Sequence, residues 1–142
     1  MTKLADLKKH VAEFETKAQR PIKANKGGDT WVKIQQIADR VPAAVKPSIH
    51  AIEDFRDSRD PVKIAKIPAY INTMRTQLNA IAMAPVSKYI TEHREGGTKT
   101  RGILSTAAAK AEEKKRVALA GEVVRLVGLM QIEMNRMDKD DV

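Results

Sequence analysis

The stretch VALAGEVVRLVGLM, residues 117–130, decides the fold of this 142-residue chain, because Glu122 and Arg125 are its only charged residues. If it forms a helix, two apolar rows lie side by side, and their steps are three or four residues. One row is Leu119, Val123, Leu126, Met130, Met134 and Met137; the other is Val117, Ala120, Val124 and Val127. This apolar arc is wider than the stripe that a helix buries against one neighbour. We therefore expect a helix that is central in a bundle or shared with another chain.

Exposing the first row to water would be costly. Full burial of a Leu, Val or Met side chain stabilises by roughly 1.5–3 kcal/mol, so four such residues approach the net stability of a whole domain. The same segment carries Gly121 and Gly128, seven residues apart and nearly on one helical face. Each glycine costs about 1 kcal/mol relative to Ala inside a helix, which favours a close helix–helix crossing, either within one chain or between chains. The residues predicted to mediate helix packing or self-association are Leu119, Gly121, Val123, Leu126, Gly128, Met130 and Met134.

The rest of the chain also has helical spacing, and no segment alternates as a strand does. We predict an all-α fold: one domain, residues 1–142, forming a bundle of about five helices. Residues 1–95 hold the N-terminal helices, 96–102 a Gly-rich basic linker, and 103–142 a long helix (about 103–137) with a frayed acidic tail. Proline sets the other predicted boundaries: an end before Pro21, a stop near Pro42, a short helix from Pro47, and interruptions at Pro68 and Pro85. We expect Thr2 and Asp60 to cap the helices that follow them, because their side-chain oxygens can accept a hydrogen bond from a free backbone amide.

The sequence lacks the residues that several kinds of catalytic and metal-binding sites require. The chain has no Cys, which excludes disulfides, thiolate catalysis and Cys-based zinc sites. Its three histidines fall on different predicted helices without metal-ligand spacing, and the glycines at 96–97 lack the spacing of a phosphate-binding loop. The acidic cluster at 53–60 lacks the pattern of a calcium loop. We expect no catalytic residues, no metal site, no cofactor and no enzymatic activity.

The net charge of +8 is unevenly distributed, since residues 61–110 carry eight basic and two acidic groups. Such a field attracts polyanions. The candidate contacts to DNA or RNA phosphates are Lys17, Arg20, Lys23, Lys26, Lys33, Lys63, Lys66, Lys99 and Arg101. Trp31 lies near the first group, either as a base-stacking residue or as a core anchor.

Three functions follow as hypotheses. The first is a non-enzymatic helical assembly protein, a subunit of a larger complex such as a viral or phage particle, whose partners are copies of itself or a different subunit. The second is a basic DNA- or RNA-binding accessory protein. The third is a membrane-active amphipathic protein that uses residues 117–137, although no segment has the 18 to 20 apolar residues of a span. Because the N-terminus lacks the apolar core of a signal peptide, we expect a cytoplasmic location or one within a larger particle.

Overall fold

Helices α1 (Lys3–Phe14) and α2 (Arg20–Ala24) are joined by a π-helical turn, Glu15–Gln19, in a computed structural model that describes residues 2–93 and 107–142. The other helices are α3 (Asp29–Ser58), α4 (Pro61–Ile64), α5 (Ile67–Asn79), α6 (Ala84–His93) and α7 (Ala107–Arg136). The fold is all-α with a long C-terminal helix, as predicted. Four of the described helices have twelve residues or more, against about five helices predicted. The predicted linker at 96–102 and the residues 103–106 lie outside the described residues.

The predicted caps form. Thr2 accepts a hydrogen bond from the Ala5 amide at 3.1 Å, and Asp60 accepts one from the Val62 amide at 2.9 Å. Each satisfies a backbone donor that the first turn of a helix leaves free. Pro68 and Pro85 lie in the first turns of α5 and α6, where a missing amide hydrogen costs least.

The predictions that Pro21 and Pro42 end helices, and that Pro47 starts a new one, are wrong. Helical structure continues through Pro21 to Ala24, because the π-helical turn before it shifts the hydrogen-bond register and the Arg20 amide donates to the Glu15 carbonyl. Pro42 and Pro47 both lie inside the continuous thirty-residue α3. An interior proline costs about 3 kcal/mol or more. Burial of the side chains on either side of the two prolines offsets that cost: Trp31, Ile34, Val41, Val45, Ile49 and Ile52 are all buried.

The two thirty-residue helices organise the core. Helix α7 packs chiefly against α1 and α6, and α3 packs chiefly against α5. The tail after α7 is not frayed as predicted: the Leu4 amide donates to the Asp141 carbonyl at 3.1 Å, and Arg56 donates to the Val142 carbonyl at 2.9 Å. Because the Val142 side chain is also buried, the tail is held against α1 and α3.

Candidate functional site

Helix α7 has an inner seam, Leu119, Val123, Leu126, Met130 and Met134, which contains five of the seven residues predicted to pack or self-associate. Val123, Leu126, Met130 and Met134 are fully buried, and Leu119 is partly buried. Helices α1 and α6 of the same chain supply most of the cover. Burial of the inner seam therefore does not require a second chain.

A second row of α7, the outer seam, comprises Val117, Gly121, Val124, Gly128 and Ile132, at steps of four, three, four and four. It contains no charged residue. Val124 is 41% exposed and Ile132 is 47% exposed, while Val117 is only partly buried against the core. The first four residues have the spacing of a coiled-coil contact, so this row has the pattern of a helix interface without a helix lying fully over it.

No other described residue lies close above the two glycines of the outer seam. Apart from the backbone of α7 itself, a Cβ atom built on Gly121 or on Gly128 would meet no atom of residues 2–93 and 107–142 within 4 Å. Neither glycine therefore serves a close crossing within the described chain. The alternative, a crossing between chains, stays a prediction.

The predicted phosphate-binding residues are dispersed rather than gathered on one patch. Lys17 and Lys23 lie on the π-helical turn and α2, next to the carboxylates of Glu13 and Asp39. Arg20 is exposed on the same segment, and Lys26 and Lys33 flank the start of α3, whereas Lys63 and Lys66 follow its end. Thirty residues of helix measure about 45 Å, so α3 separates the last two from the others. Lys99 and Arg101 lie outside the described residues.

A buried polar cluster where α6 meets α7 is the main feature that sequence reasoning missed. Arg116 donates to the Tyr89 hydroxyl at 3.3 Å and to the Lys26 carbonyl at 3.1 Å, and it lies 3.5 Å from Glu113. The Glu113 side chain is only 7% exposed. The four-residue spacing of Glu112 and Arg116 favours a pair between those two side chains on a helix, but Glu112 is exposed. The spacing of Glu113 and Arg116 was the available signal, yet it did not indicate which glutamate faces inward.

Stacked aromatic rings complete this cluster. The Tyr89 and His93 rings stack with centroids 4.1 Å apart, and Trp31 contacts Tyr89 at 5.5 Å while donating to the Asn25 carbonyl. Trp31 is thus a buried core anchor rather than an exposed stacking group. Burial raises the pKa of the Tyr89 phenol, and the hydrogen bond from Arg116 opposes that shift.

His93 contacts both helices of this cluster. Its Nδ1 is 2.9 Å from the Tyr89 carbonyl, which can only accept, so Nδ1 bears a hydrogen. Its Nε2 faces Oε1 of Glu113 at 3.6 Å, and this oxygen is buried without a hydrogen-bond partner among the described residues. The cluster therefore fastens α6, α7 and the loop before α3 together, which is a structural task.

A shallow groove between α1 and α3 encloses about 180 Å³. Its floor is apolar, with Val11 and Ile49, and two ion pairs bound it: Lys8 with Glu53 at 2.7 Å and Lys46 with Glu15 at 3.1 Å. Both lysines are thereby neutralised by carboxylates of the same groove. The groove offers a ligand little unpaired charge.

In comparisons with family models, curated proteins and solved structures, nothing matches this chain. Across residues 2–93 and 107–142, no three His, Asp or Glu side chains group closely enough to hold a metal ion. In the same residues, no helix combines the length and the apolar character needed to cross a membrane.

Proposed function

We propose that this chain is a non-enzymatic helical assembly protein, a subunit that binds other protein subunits through the outer seam of α7. The observation that supports the proposal most strongly is the pair of glycines in open space. Each lowers helix stability by about 1 kcal/mol relative to Ala, and neither is required by a contact within the described chain. A partner helix lying in the space above them would make use of both.

The side chains around the glycines favour the same function. Val124 and Ile132 are among the few large apolar residues that the described chain exposes, and they lie in one row with the glycines. Apolar area removed from water stabilises by roughly 25 cal/mol per Å². A helix that covers the row would gain this energy while the missing side chains allow its backbone to approach closely. A viral or phage particle is one setting for such a subunit.

Replacing Val124 by Lys tests the proposal, with Val32→Lys as the matched control. Val32 is the same residue type at nearly the same exposure, 43%, but lies on α3. We expect the native chain and Val32→Lys to sediment as oligomers at tens of micromolar and Val124→Lys to sediment as a monomer. Far-ultraviolet circular dichroism should show the same helical content in all three proteins. Equal sedimentation of both variants would contradict an interface at the outer seam.

A second candidate function, binding of DNA or RNA, is favoured by the surface of α4 and α5. No acidic residue occurs from Pro61 to Thr91. Among the described residues, neither Lys63 nor Lys66 lies within 4.0 Å of a carboxylate oxygen, so both cations are available to phosphates. Binding should weaken steeply as salt rises, and Lys63→Gln/Lys66→Gln should reduce that salt dependence. Absence of binding to duplex DNA and to RNA near 50 mM salt would eliminate this candidate.

A further inference from the structure

An exposed row of α4 and α5 combines cations, an aromatic ring and uncharged polar groups at steps of three and four residues. We call it the basic–aromatic row, and its members are Lys63, Lys66, Tyr70, Thr73 and Gln77. All five residues are exposed. The row lies within the segment from Pro61 to Thr91, which contains no acidic residue. Its surface can therefore attract an anion along its whole length.

Backbone hydrogen bonds bring the first three members onto one side of the chain. The Lys66 amide donates to the Lys63 carbonyl at 3.0 Å, and a bond across three residues eclipses the side chains at its two ends. The Tyr70 amide donates to the Lys66 carbonyl at 3.4 Å. This is the bond of an α-helical turn, which makes Tyr70 and Lys66 neighbours on the helix surface. Both lysine side chains and the aromatic ring therefore leave the backbone on one side.

The charges of the two lysines are not paired within the fold. The carboxylates nearest in the sequence have other donors: Asp57 accepts from Arg56 at 2.8 Å, and Asp60 accepts from the Val62 amide. Among the described residues, no carboxylate oxygen lies within the 4.0 Å of an ion pair from Lys63 or Lys66. Both ammonium groups are thus free to bind phosphates.

Tyr70 adds an aromatic ring that is partly open to solvent. It is 37% exposed. Its ring meets the Phe55 ring edge-on, with centroids 5.2 Å apart, so a contact within the fold holds the ring in place. Trp31 and Tyr89 are buried. The aromatic group that is open to a ligand therefore lies beside the unpaired lysines and not beside the basic loop before α3.

Cations next to an open aromatic ring are the groups that bind single-stranded nucleic acids, whose phosphates take the cations and whose bases stack on the ring. In a duplex the bases are stacked on one another and must be unstacked before a side chain reaches their faces. We infer that the basic–aromatic row binds single-stranded nucleic acid, with Lys63 and Lys66 on phosphates and a base stacked on Tyr70. This inference rests on the second candidate function, because it names the form of nucleic acid that the same surface binds.

Fluorescence anisotropy tests the inference with a labelled oligothymidylate and with the same strand annealed to oligoadenylate. Tyr70→Leu removes the aromatic face and keeps an apolar side chain against Phe55, whereas the matched control Tyr70→Phe keeps the face. We expect the native chain to bind the single strand more tightly than the duplex. Tyr70→Leu should weaken binding to the single strand at least about fivefold, and Tyr70→Phe should bind it as the native chain does. An oligouridylate probe distinguishes RNA from DNA.

The dependence of the affinity on salt separates stacking from charge. Each phosphate that a protein neutralises on a single strand contributes about 0.7 to the slope of log affinity against log salt. Lys63→Gln/Lys66→Gln should therefore reduce that slope by about 1.4. Tyr70→Leu should lower the affinity and leave the slope unchanged, because it removes no charge.

The other outcomes separate this inference from the candidate function on which it rests. Equal affinity for the single strand and the duplex, or unchanged binding of the single strand by Tyr70→Leu, would overturn the inference and leave nucleic-acid binding intact. Oligoglutamate has no bases, so competition by oligoglutamate that equals that of oligothymidylate, charge for charge, would also overturn it. Absence of binding to every oligonucleotide at low salt would overturn both.

Discussion

The inner and outer seams of α7 differ in what covers them: the inner seam is buried within the fold, and the outer seam is the surface that we propose for association. The inner seam is built from Leu, Val and Met and is buried by its own chain. The outer seam alternates valine with glycine up to Gly128 and leaves Val124 and Ile132 exposed, and no other described residue lies close above its two glycines. The chain thus covers the large side chains of the inner seam, whereas it leaves much of the outer seam without a covering helix. The predicted partner of the outer seam would come from outside the chain.

Replacing one residue of each seam by alanine should give the largest difference in stability between the two seams. We expect Leu126→Ala to lower the free energy of unfolding by about 2–5 kcal/mol, because it removes buried contacts and leaves a cavity. Val124→Ala on the exposed row should change it by less than about 0.5 kcal/mol. Urea unfolding at concentrations too dilute for association measures both. Equal losses would mean that the two faces do not differ as described.

Helix α7 has two Glu–Arg pairs with the same three-residue spacing, Glu113 with Arg116 and Glu122 with Arg125. They allow a partly buried charged contact to be compared with an exposed one. Arg116→Met should lower the free energy of unfolding by about 1–3 kcal/mol, because the buried Glu113 carboxylate and the partly buried Tyr89 hydroxyl lose a donor. Arg125→Met removes only an exposed contact to Glu122, so we expect a much smaller loss of stability, because water screens exposed ion pairs. Thermal unfolding compares the two variants. A larger loss for Arg125→Met would contradict the structural role of the buried cluster.

Replacing the outer-seam glycines by alanine should have opposite effects on the stability of the monomer and on self-association. Gly121→Ala and Gly128→Ala should each stabilise the monomer by about 0.5–1 kcal/mol, because alanine favours helix and the added methyl has room. The same substitutions should weaken self-association, because the methyl occupies the partner's space. Melting of dilute samples and sedimentation of concentrated ones measure the two effects. Stabilisation without any loss of association would show that the space is unused.

The smallest predicted effect concerns pH. Because burial raises the pKa of Tyr89 above its ordinary value, the folded state holds this proton more tightly than the unfolded state does. The stability that this provides is complete below the unfolded pKa, near 10, and is lost as the pH rises through the folded pKa. Between pH 9 and pH 11, the free energy of unfolding should fall more steeply with pH in the native chain than in Tyr89→Phe. Tyr70→Phe, at a more exposed tyrosine, should behave like the native chain.

The sequence was sufficient for those features that periodicity and local chemistry specify. Spacing identified the inner seam, and residue type identified the caps at Thr2 and Asp60 and the interruptions near Pro68 and Pro85. These features depend on residues within a few positions of one another. The all-α fold with a long last helix follows from the same local patterns.

Features that depend on distant parts of the chain were not predictable in this way. Helix α3 continues through Pro42 and Pro47 because burial along its length outweighs their local cost, and local rules register only the cost. The cluster around Glu113 depends on α6 and the loop before α3 meeting α7. The candidate outer seam was predicted only in part. The spacing of Gly121 and Gly128 indicated a helix crossing, but only the structure shows whether other described residues of the chain fill the space above them.

The mass of the native chain in solution, measured by sedimentation equilibrium over a dilution series, tests the central claim most directly. We expect an oligomer, heavier than the 15.8 kDa chain, at tens of micromolar that dissociates on dilution. We expect the same oligomer at low and moderate salt, because apolar contacts at the outer seam dominate the binding. A single species of 15.8 kDa at every concentration would contradict it.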